Sequence, residues 1–142
     1  MRIPLIISQG LIYILATIRA PRYRIYGGIK FYIDTGSPKS FIGQTDGIKS
    51  SVPYKKLNFK EPILMGAEKI SLAEIQDVKL HFNVEGTTKV MELKIFRVAQ
   101  NMRKQVIGAL KPSILGTDFL LENNIKLVVD MSNNMAYLET QE

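Results

Sequence analysis

Short apolar segments separated by turn-forming residues recur along the chain, and this pattern constrains the fold more than any other feature. It is clearest over residues 78–84, where apolar and polar residues strictly alternate. A period of two places the apolar side chains on one face of a β-strand. One short C-terminal helix is expected over residues 117–122, with Thr117 as its N-cap and Asn123-Asn124 at its end. The sequence therefore predicts an all-β protein with a single short helix.

The same reasoning places the remaining elements. Two segments are expected to be loops: residues 21–28, in which Gly27-Gly28 can supply positive φ, and residues 44–53, with a turn at Asp46-Gly47. No repeat or long linker divides the chain, so a single domain is expected over residues 1–142. The predicted strands cover residues 11–19, 29–33, 39–42, 63–65, 70–75, 78–84, 90–98, 127–130 and 135–138.

An apolar run occupies residues 3–18 and raises the question of a membrane or export segment. Ser8, Gln9 and Gly10 interrupt it, so it falls short of the ~20 apolar residues that a membrane helix requires. The residues at its end, 16–18, also make a poor signal-peptide cleavage site. We therefore expect two short buried strands here, no membrane contact and, by default, a cytoplasmic location.

The composition excludes several kinds of chemistry. The chain has no cysteine, which rules out disulfides, thiolate catalysis and cysteine metal sites. His81 is the single histidine, so a histidine metal site or a Ser-His-Asp triad is hard to assemble. We expect no metal and no organic cofactor. Any catalysis must rest on carboxylates, hydroxyls, amines or backbone groups.

The net charge of +6 raises the question of nucleic acid as a partner. The basic residues lie in separate segments, around residues 19–24, 55–56 and 103–104, and no aromatic residues interleave with glycines as on an RNA-binding sheet. These features argue against nucleic acid and favour a solvated basic surface. A nucleic-acid-binding β-barrel stays as an alternative, and it would bind with steep salt dependence that survives Asp34→Ala.

Residues 31–37 carry the most informative motif, Phe-Tyr-Ile-Asp-Thr-Gly-Ser. Three large apolar residues deliver Asp34 to a tight turn, where burial makes ionisation costly unless hydrogen bonds compensate. Gly36 lets the backbone pass close to that carboxylate, and Thr35 and Ser37 place hydroxyls on either side. From these residues alone, a solvated turn between two strands remains an alternative.

A second motif, Ile114-Leu115-Gly116, immediately precedes the predicted helix. With both motifs in this order, the chain resembles the retroviral-type (retropepsin-like) aspartic proteases. In that family an apolar strand ending in Asp-Thr/Ser-Gly is followed, most of a domain later, by two apolar residues, a glycine and a short helix. The resemblance covers nearly the whole chain. It implies a retropepsin-like closed β-barrel lobe with a flap hairpin between the two motifs.

The resemblance implies a role for each residue of the first motif. Asp34 would be the catalytic aspartate, and Thr35 would interlock with its symmetry mate through hydroxyl-to-backbone hydrogen bonds. Gly36 would contact the carboxylate and the substrate through its backbone. Ser37 would hydrogen-bond the carboxylate from behind.

The resemblance also implies roles for residues outside the first motif. Those that would pack under the turn and position it are Ile114, Leu115 and Gly116. Those at the flap tip, which would close over bound peptide, are Met65, Gly66 and Ala67. The chain departs from the family at one ion pair. Viral members often have an acidic residue soon after the turn and an arginine just after the later glycine, whereas this chain has Lys39 and Asp118 in those stretches. An ion pair of reversed polarity between Lys39 and Asp118 is therefore conceivable.

The implied chemistry requires a second copy of the chain. Hydrolysis of a peptide bond would use one ionised and one protonated carboxylate around a water molecule, and this chain supplies one such turn. The expected function is therefore an aspartic endopeptidase that binds an extended polypeptide at the two-fold axis of a homodimer, where Asp34 meets its own copy. The alternative is a catalytically weak or inactive peptide-binding module of the same fold.

Overall fold

The computed structural model describes residues 1–65, 68–101 and 112–141. Within these ranges the helices are α1 (Gln44–Lys49) and α2 (Thr117–Glu122), and two 3₁₀ turns cover Pro21–Tyr23 and Tyr54–Lys56. The strands are β1 (Arg2–Pro4), β2 (Ile6–Ser8), β3 (Leu11–Ala20), β4 (Ile25–Ile33), β5 (Phe41–Ile42), β6 (Ile63–Met65), β7 (Glu68–Val84), β8 (Thr87–Asn101), β9 (Ser113–Leu115), β10 (Ile125–Asp130) and β11 (Met135–Thr140).

The larger sheet closes on itself to form a barrel. Its strand order is β2-β3-β4-β9-β5-β8-β7-β6, and an additional antiparallel pairing joins β3 to β7. The ring therefore runs through six strands, β3, β4, β9, β5, β8 and β7. Most neighbours are antiparallel, but β4 pairs with β9 in parallel, as does β5 with β8. This closed β architecture confirms the predicted fold class.

The barrel interior is filled by the apolar positions that alternate along the strands. On β3 and β4 the inward residues include Ile14, Ile18 and Phe31, all buried. The ring of Phe31 packs edge-on against Phe96 of β8, with 5.9 Å between ring centroids. Burying such side chains stabilises the fold by about 1.5–3 kcal/mol each. The strand period of two read from the sequence is therefore the period that builds the core.

The chain ends form a separate small sheet with the order β1-β11-β10. Its β10–β11 hairpin pairs Asp130 with Met135 at the turn, which confirms the predicted terminal hairpin. The apolar run near the start of the chain forms strands, as predicted, but it forms β1, β2 and most of β3 where two buried strands were expected, and β2 has no buried residue. No helix within the described ranges is long and apolar enough to cross a membrane.

The predictions of two loops are wrong. Gly27 and Gly28 lie inside β4, and the positive φ of the preceding turn (58°) belongs to Arg24. Gly27 is needed for space, because a Cβ there would lie 2.6 Å from Ser50 Oγ. The segment predicted as the second loop contains α1, in which Gly47 is buried against Tyr54. This short helix depends on a tertiary contact that sequence pattern does not reveal.

The predicted C-terminal helix is confirmed as α2, with one change at its start. Its N-cap is Gly116, not Thr117, and it has no side-chain cap. Asp118 lies in the first turn, where a carboxylate interacts favourably with the free N–H groups. The helix ends at Glu122 with Asn123 as its C-cap, and Asn124 follows with a φ of 51°, a conformation that asparagine tolerates better than most residues.

Candidate active site

The Asp34 turn lies where β4 ends. Two backbone hydrogen bonds hold this turn. The Asp34 N–H donates to the carbonyl of Leu115 (3.1 Å), and the Ser37 N–H donates to the carbonyl of Asp34 (3.1 Å). The Gly36 N–H donates to Asp34 Oδ1 at 2.9 Å. The expected backbone contact from Gly36 to the carboxylate is thus present, and it fixes one oxygen of Asp34 in place.

The second motif supports this turn from below. Strand β9 pairs in parallel with β4, so that Ile114 lies beside Tyr32 and Leu115 beside Ile33. At Gly116 the two segments approach so closely that a Cβ would lie 2.2 Å from the carbonyl oxygen of Ser37. Only glycine fits this contact without a shift of the backbone. Leu115 and Gly116 therefore contact the turn directly, and Ile114 lies beside Tyr32 of the strand that leads to it. The role of residues 114–116 in positioning the turn stays a prediction.

Ser37 differs from its expected role. Its side chain is buried beside the turn, and its hydroxyl donates to the carbonyl of Lys39 at 2.7 Å. A hydroxyl has one proton to donate, so it does not also donate to the Asp34 carboxylate. The expected hydrogen bond from behind the carboxylate is wrong for this chain, and Ser37 instead shapes the segment that follows the turn.

The carboxylate is more accessible than its apolar lead-in predicts. Asp34, Thr35 and Gly36 are all exposed in the single chain. Of the three apolar residues before Asp34, only Phe31 is buried in the barrel, and Tyr32 and Ile33 are partly exposed. The expectation of a buried carboxylate therefore does not hold for one chain alone.

Asp34 faces a cleft of about 490 Å³ with mostly apolar walls. A cleft of this size is in the range of sites that hold small molecules or side chains. The other residues that line it are Leu11, Ile12, Tyr32, Ile33, Pro112 and Ile114. The candidate site thus combines one carboxylate on a rigid turn with an apolar surface on which a substrate side chain can pack.

Asp118 has different partners from the reversed Lys39 pair considered above. Its carboxylate accepts hydrogen bonds from the N–H (3.0 Å) and the hydroxyl (2.6 Å) of Ser40. Arg97 of β8 lies 3.8 Å from it and also pairs with Glu74 at 3.3 Å. The Ser40 hydroxyl in turn accepts the N–H of Gly116 at 2.8 Å.

This network fastens the second motif to the segment after the turn, and sequence reasoning did not find it. Ser40 is fully buried and the side chain of Arg97 is only 16% exposed, so both act inside the protein. Ser40 and Arg97 are distant in sequence from Asp118 and belong to no short motif. The one sequence feature that pointed to this network was Asp118 itself, a carboxylate two residues after the glycine of the second motif.

The hairpin expected to carry the flap is partly described. Strand β6 pairs with the start of β7, with Met65 opposite Glu68, so the predicted hairpin is present. Gly66 and Ala67, two of the three expected tip residues, lie outside the described residues. For metals, the described parts of the chain contain no cluster of three or more carboxylate or imidazole ligands.

Comparison with known proteins identifies the fold. The sequence matches no protein-family model, and no curated protein matches it. Among solved structures, it is similar to a retropepsin-like aspartic protease from Rickettsia conorii, with a TM-score of 0.63 and 22% sequence identity over 97% of this chain and 89% of that chain. The chain has the retropepsin-like fold. At this identity the likeness establishes the fold, and the function must be argued from the site.

Proposed function

We propose that the protein is an aspartic endopeptidase that acts as a homodimer, with Asp34 of each chain forming the catalytic pair. The observation that carries the proposal is that hydrogen bonds fix the Asp34 carboxylate and its turn in place. On a retropepsin-like fold, Asp34 lies on a turn fixed by Leu115 and Gly36, its side chain facing an apolar cleft. Such preorganised placement of a reacting group is the main structural requirement of catalysis.

The proposed reaction needs two carboxylates with one shared proton. Two such groups about 3 Å apart do not both ionise. The ionised member takes a proton from a bound water, and the water oxygen attacks the carbonyl carbon of the peptide. The protonated member gives its proton to the carbonyl oxygen, which yields a tetrahedral diol. The carboxyl that took the water proton then gives it to the peptide nitrogen, while a hydroxyl of the diol returns its proton to the other carboxylate. The C–N bond breaks, and one protonated and one ionised carboxyl are restored.

The second carboxylate is proposed to come from another copy of the chain, because the other aspartates near the turn are engaged. Asp46 accepts the hydroxyl of buried Ser113 at 2.6 Å, and Asp118 is held by Ser40. The exposure of Asp34 and Thr35 also supports this view, since a partner placed on the turn would cover both. Thr35 would then interlock with its copy and hold the two turns in register.

The substrate is proposed to be a polypeptide in extended conformation. It would pass along the cleft of each chain, with an apolar side chain packed against Tyr32 and Ile114. The hairpin of β6 and β7 would cover it as a flap, and the residues proposed for the tip are Met65, Gly66 and Ala67. An extended chain is recognised through its backbone, with pockets selecting alternate side chains.

A peptide-binding module without turnover is the second candidate, and one observation favours it. The Ser37 hydroxyl is committed to Lys39, so Asp34 lacks the support from that side chain which the resemblance implies. Such a protein would keep the fold and the cleft and lose the reaction. Binding of peptide without fragments would distinguish it from the protease.

The test is cleavage of an unstructured polypeptide by wild type and Asp34→Asn, from about pH 3 to 7. Asp77→Asn is a matched control, because it makes the same chemical change at an exposed aspartate remote from the turn and asparagine tolerates the positive φ of that position (59°). Fragments are expected from wild type and Asp77→Asn and not from Asp34→Asn. They should disappear with a transition-state-mimicking aspartic protease inhibitor.

Two results would contradict the proposal. Equal cleavage by Asp34→Asn would assign the activity to another protein in the sample. Absence of cleavage by a folded, dimeric wild type, together with saturable binding of the same polypeptide, would support the peptide-binding module instead.

A further inference from the structure

The fold gathers cationic side chains that are far apart in the sequence. Arg22 and Arg24 belong to the turn between β3 and β4, and Lys56 ends the second 3₁₀ turn. All three line one open pocket of about 530 Å³. The rest of its wall is made by Tyr23, Ser51, Pro53 and Leu57. Basic residues that are scattered along the chain thus share one site.

The two segments are held together by the backbone. The Tyr26 N–H at the start of β4 donates to the carbonyl of Ser50 at 3.1 Å. Beside it, Gly27 lies so close to Ser50 that a Cβ would reach its hydroxyl. The Arg24 N–H donates to the carbonyl of Pro21 at 3.1 Å and closes the turn. The pocket is therefore part of the fold and does not depend on a chance approach of side chains.

The positive charge of this pocket is poorly compensated. Arg22 has one carboxylate partner, Asp77 at 3.9 Å, and both side chains are more than 60% exposed, so the pair contributes little. Within the described part of the chain, neither Arg24 nor Lys56 forms an ion pair, and no carboxylate lines the pocket. Cations that share a concave site repel one another and raise the local concentration of anions. A bound anion would relieve that repulsion.

The volume of the pocket and the residues that line it limit the kinds of ligand that it can bind. Arginine presents a planar fork of donors that matches phosphate oxygens, and lysine adds a compact charge. The volume is in the range of small-molecule sites and exceeds the need of a single phosphate. Tyr23, Pro53 and Leu57 supply apolar surface for the rest of a ligand. We propose that this pocket binds a small organic phosphate, with the phosphate on Arg22, Arg24 and Lys56 and an apolar or aromatic part against Tyr23.

This site is separate from the candidate active site. Arg24 precedes β4 and Asp34 follows it, and the nine residues of that strand span about 30 Å. Binding of an organic phosphate is therefore expected to be unchanged in Asp34→Asn. The proposal stands or falls independently of any proteolysis.

The test is calorimetric titration at low salt with adenosine monophosphate, inorganic phosphate and adenosine as probes. We expect the nucleotide to bind, inorganic phosphate to bind more weakly at the same site, and adenosine not to bind measurably. Arg24→Asn and Lys56→Gln should each weaken nucleotide binding about tenfold. Asparagine suits the positive φ of residue 24 (58°), so circular dichroism should show an unchanged fold.

Lys126→Gln is the matched control, because it removes one exposed positive charge from β10, in the other sheet. It should leave nucleotide binding within about twofold of wild type. Equal weakening by Lys126→Gln would overturn the proposal in favour of general attraction to a basic protein. Binding of adenosine alone, or binding only of long single-stranded DNA, would overturn it as well.

Discussion

The contact between Gly116 and Ser37 gives a sharp prediction for Gly116→Ala. Gly116 has φ −100° and ψ −168°, a backbone conformation that alanine adopts freely. The cost of the substitution must therefore come from space. The added methyl carbon would lie 2.2 Å from the carbonyl oxygen of Ser37 and 3.0 Å from that of Lys39. Both are backbone atoms, so no side-chain rotation removes the clash.

The structure sets the size of the effect. The shorter contact is roughly 1 Å inside ordinary van der Waals distance, so the two segments must separate by about that amount. Overpacking of this kind costs about 1–3 kcal/mol. Separation also weakens the hydrogen bonds from the Thr117 N–H to Ser37 and from the Gly116 N–H to Ser40, at about 1 kcal/mol each. Gly116→Ala should therefore lower the free energy of unfolding by about 3–5 kcal/mol.

Urea denaturation followed by far-ultraviolet circular dichroism measures this change. Gly28→Ala is the matched control, since no atom lies within 4 Å of the position a Cβ would take there, and its effect should stay within about 0.5 kcal/mol. If the protease proposal holds, displacement of the turn by about 1 Å should also lower kcat/KM about a hundredfold. A Gly116→Ala protein as stable as Gly28→Ala would refute the claim that the second motif is packed directly under the turn.

Two further predictions concern buried polar groups. Ser40→Ala should lower the free energy of unfolding by about 1–3 kcal/mol, because the Gly116 N–H and an oxygen of Asp118 lose their hydroxyl partner. Urea denaturation at pH 7 measures this loss of stability, and an unchanged midpoint would contradict the hydrogen-bond network. Burial, and next the negative charge of Asp46, raise the pKa of the Tyr54 hydroxyl. Since the folded state then holds this proton more tightly than the unfolded chain, the resulting stability is complete below about pH 10 and is lost as the pH rises above that value. Tyr54→Phe should therefore lose less stability than wild type between pH 9 and 11 in the same assay, and parallel pH profiles would contradict this.

The strands and the Asp34 turn could be predicted because their signals are local. Alternation over residues 78–84 identified part of β7, and the turn residues around Asn133 identified the terminal hairpin. The resemblance that rests on the order of the two motifs also implied that Leu115 lies beneath Asp34, and the Leu115 carbonyl accepts the Asp34 N–H. In each case the information needed lies within a few adjacent residues, or in the order of two short motifs.

The features that sequence reasoning missed depend on contacts between distant segments. The sequence predicts a loop where helix α1 lies, because Gly47 is typical of turns. In the structure Gly47 lies in the helix, where a larger residue would clash with Tyr54. The Ser37 hydroxyl is a local exception, because the turn brings the carbonyl of Lys39 within 2.7 Å and the hydroxyl donates to that acceptor. Asp118 and Ser40, which form a hydrogen bond, are 78 residues apart in the sequence. No local pattern of residue types specifies such pairs.

The central claim is that each active site requires Asp34 from two chains, and subunit mixing tests it most directly. Wild type and Asp34→Asn would be unfolded together in equal amounts and refolded, and peptide cleavage compared with wild type at the same total concentration. If both carboxylates are needed, only dimers of two wild-type chains are active, so activity should fall to about a quarter. Activity of about a half would mean that each wild-type chain works by itself and would contradict the account.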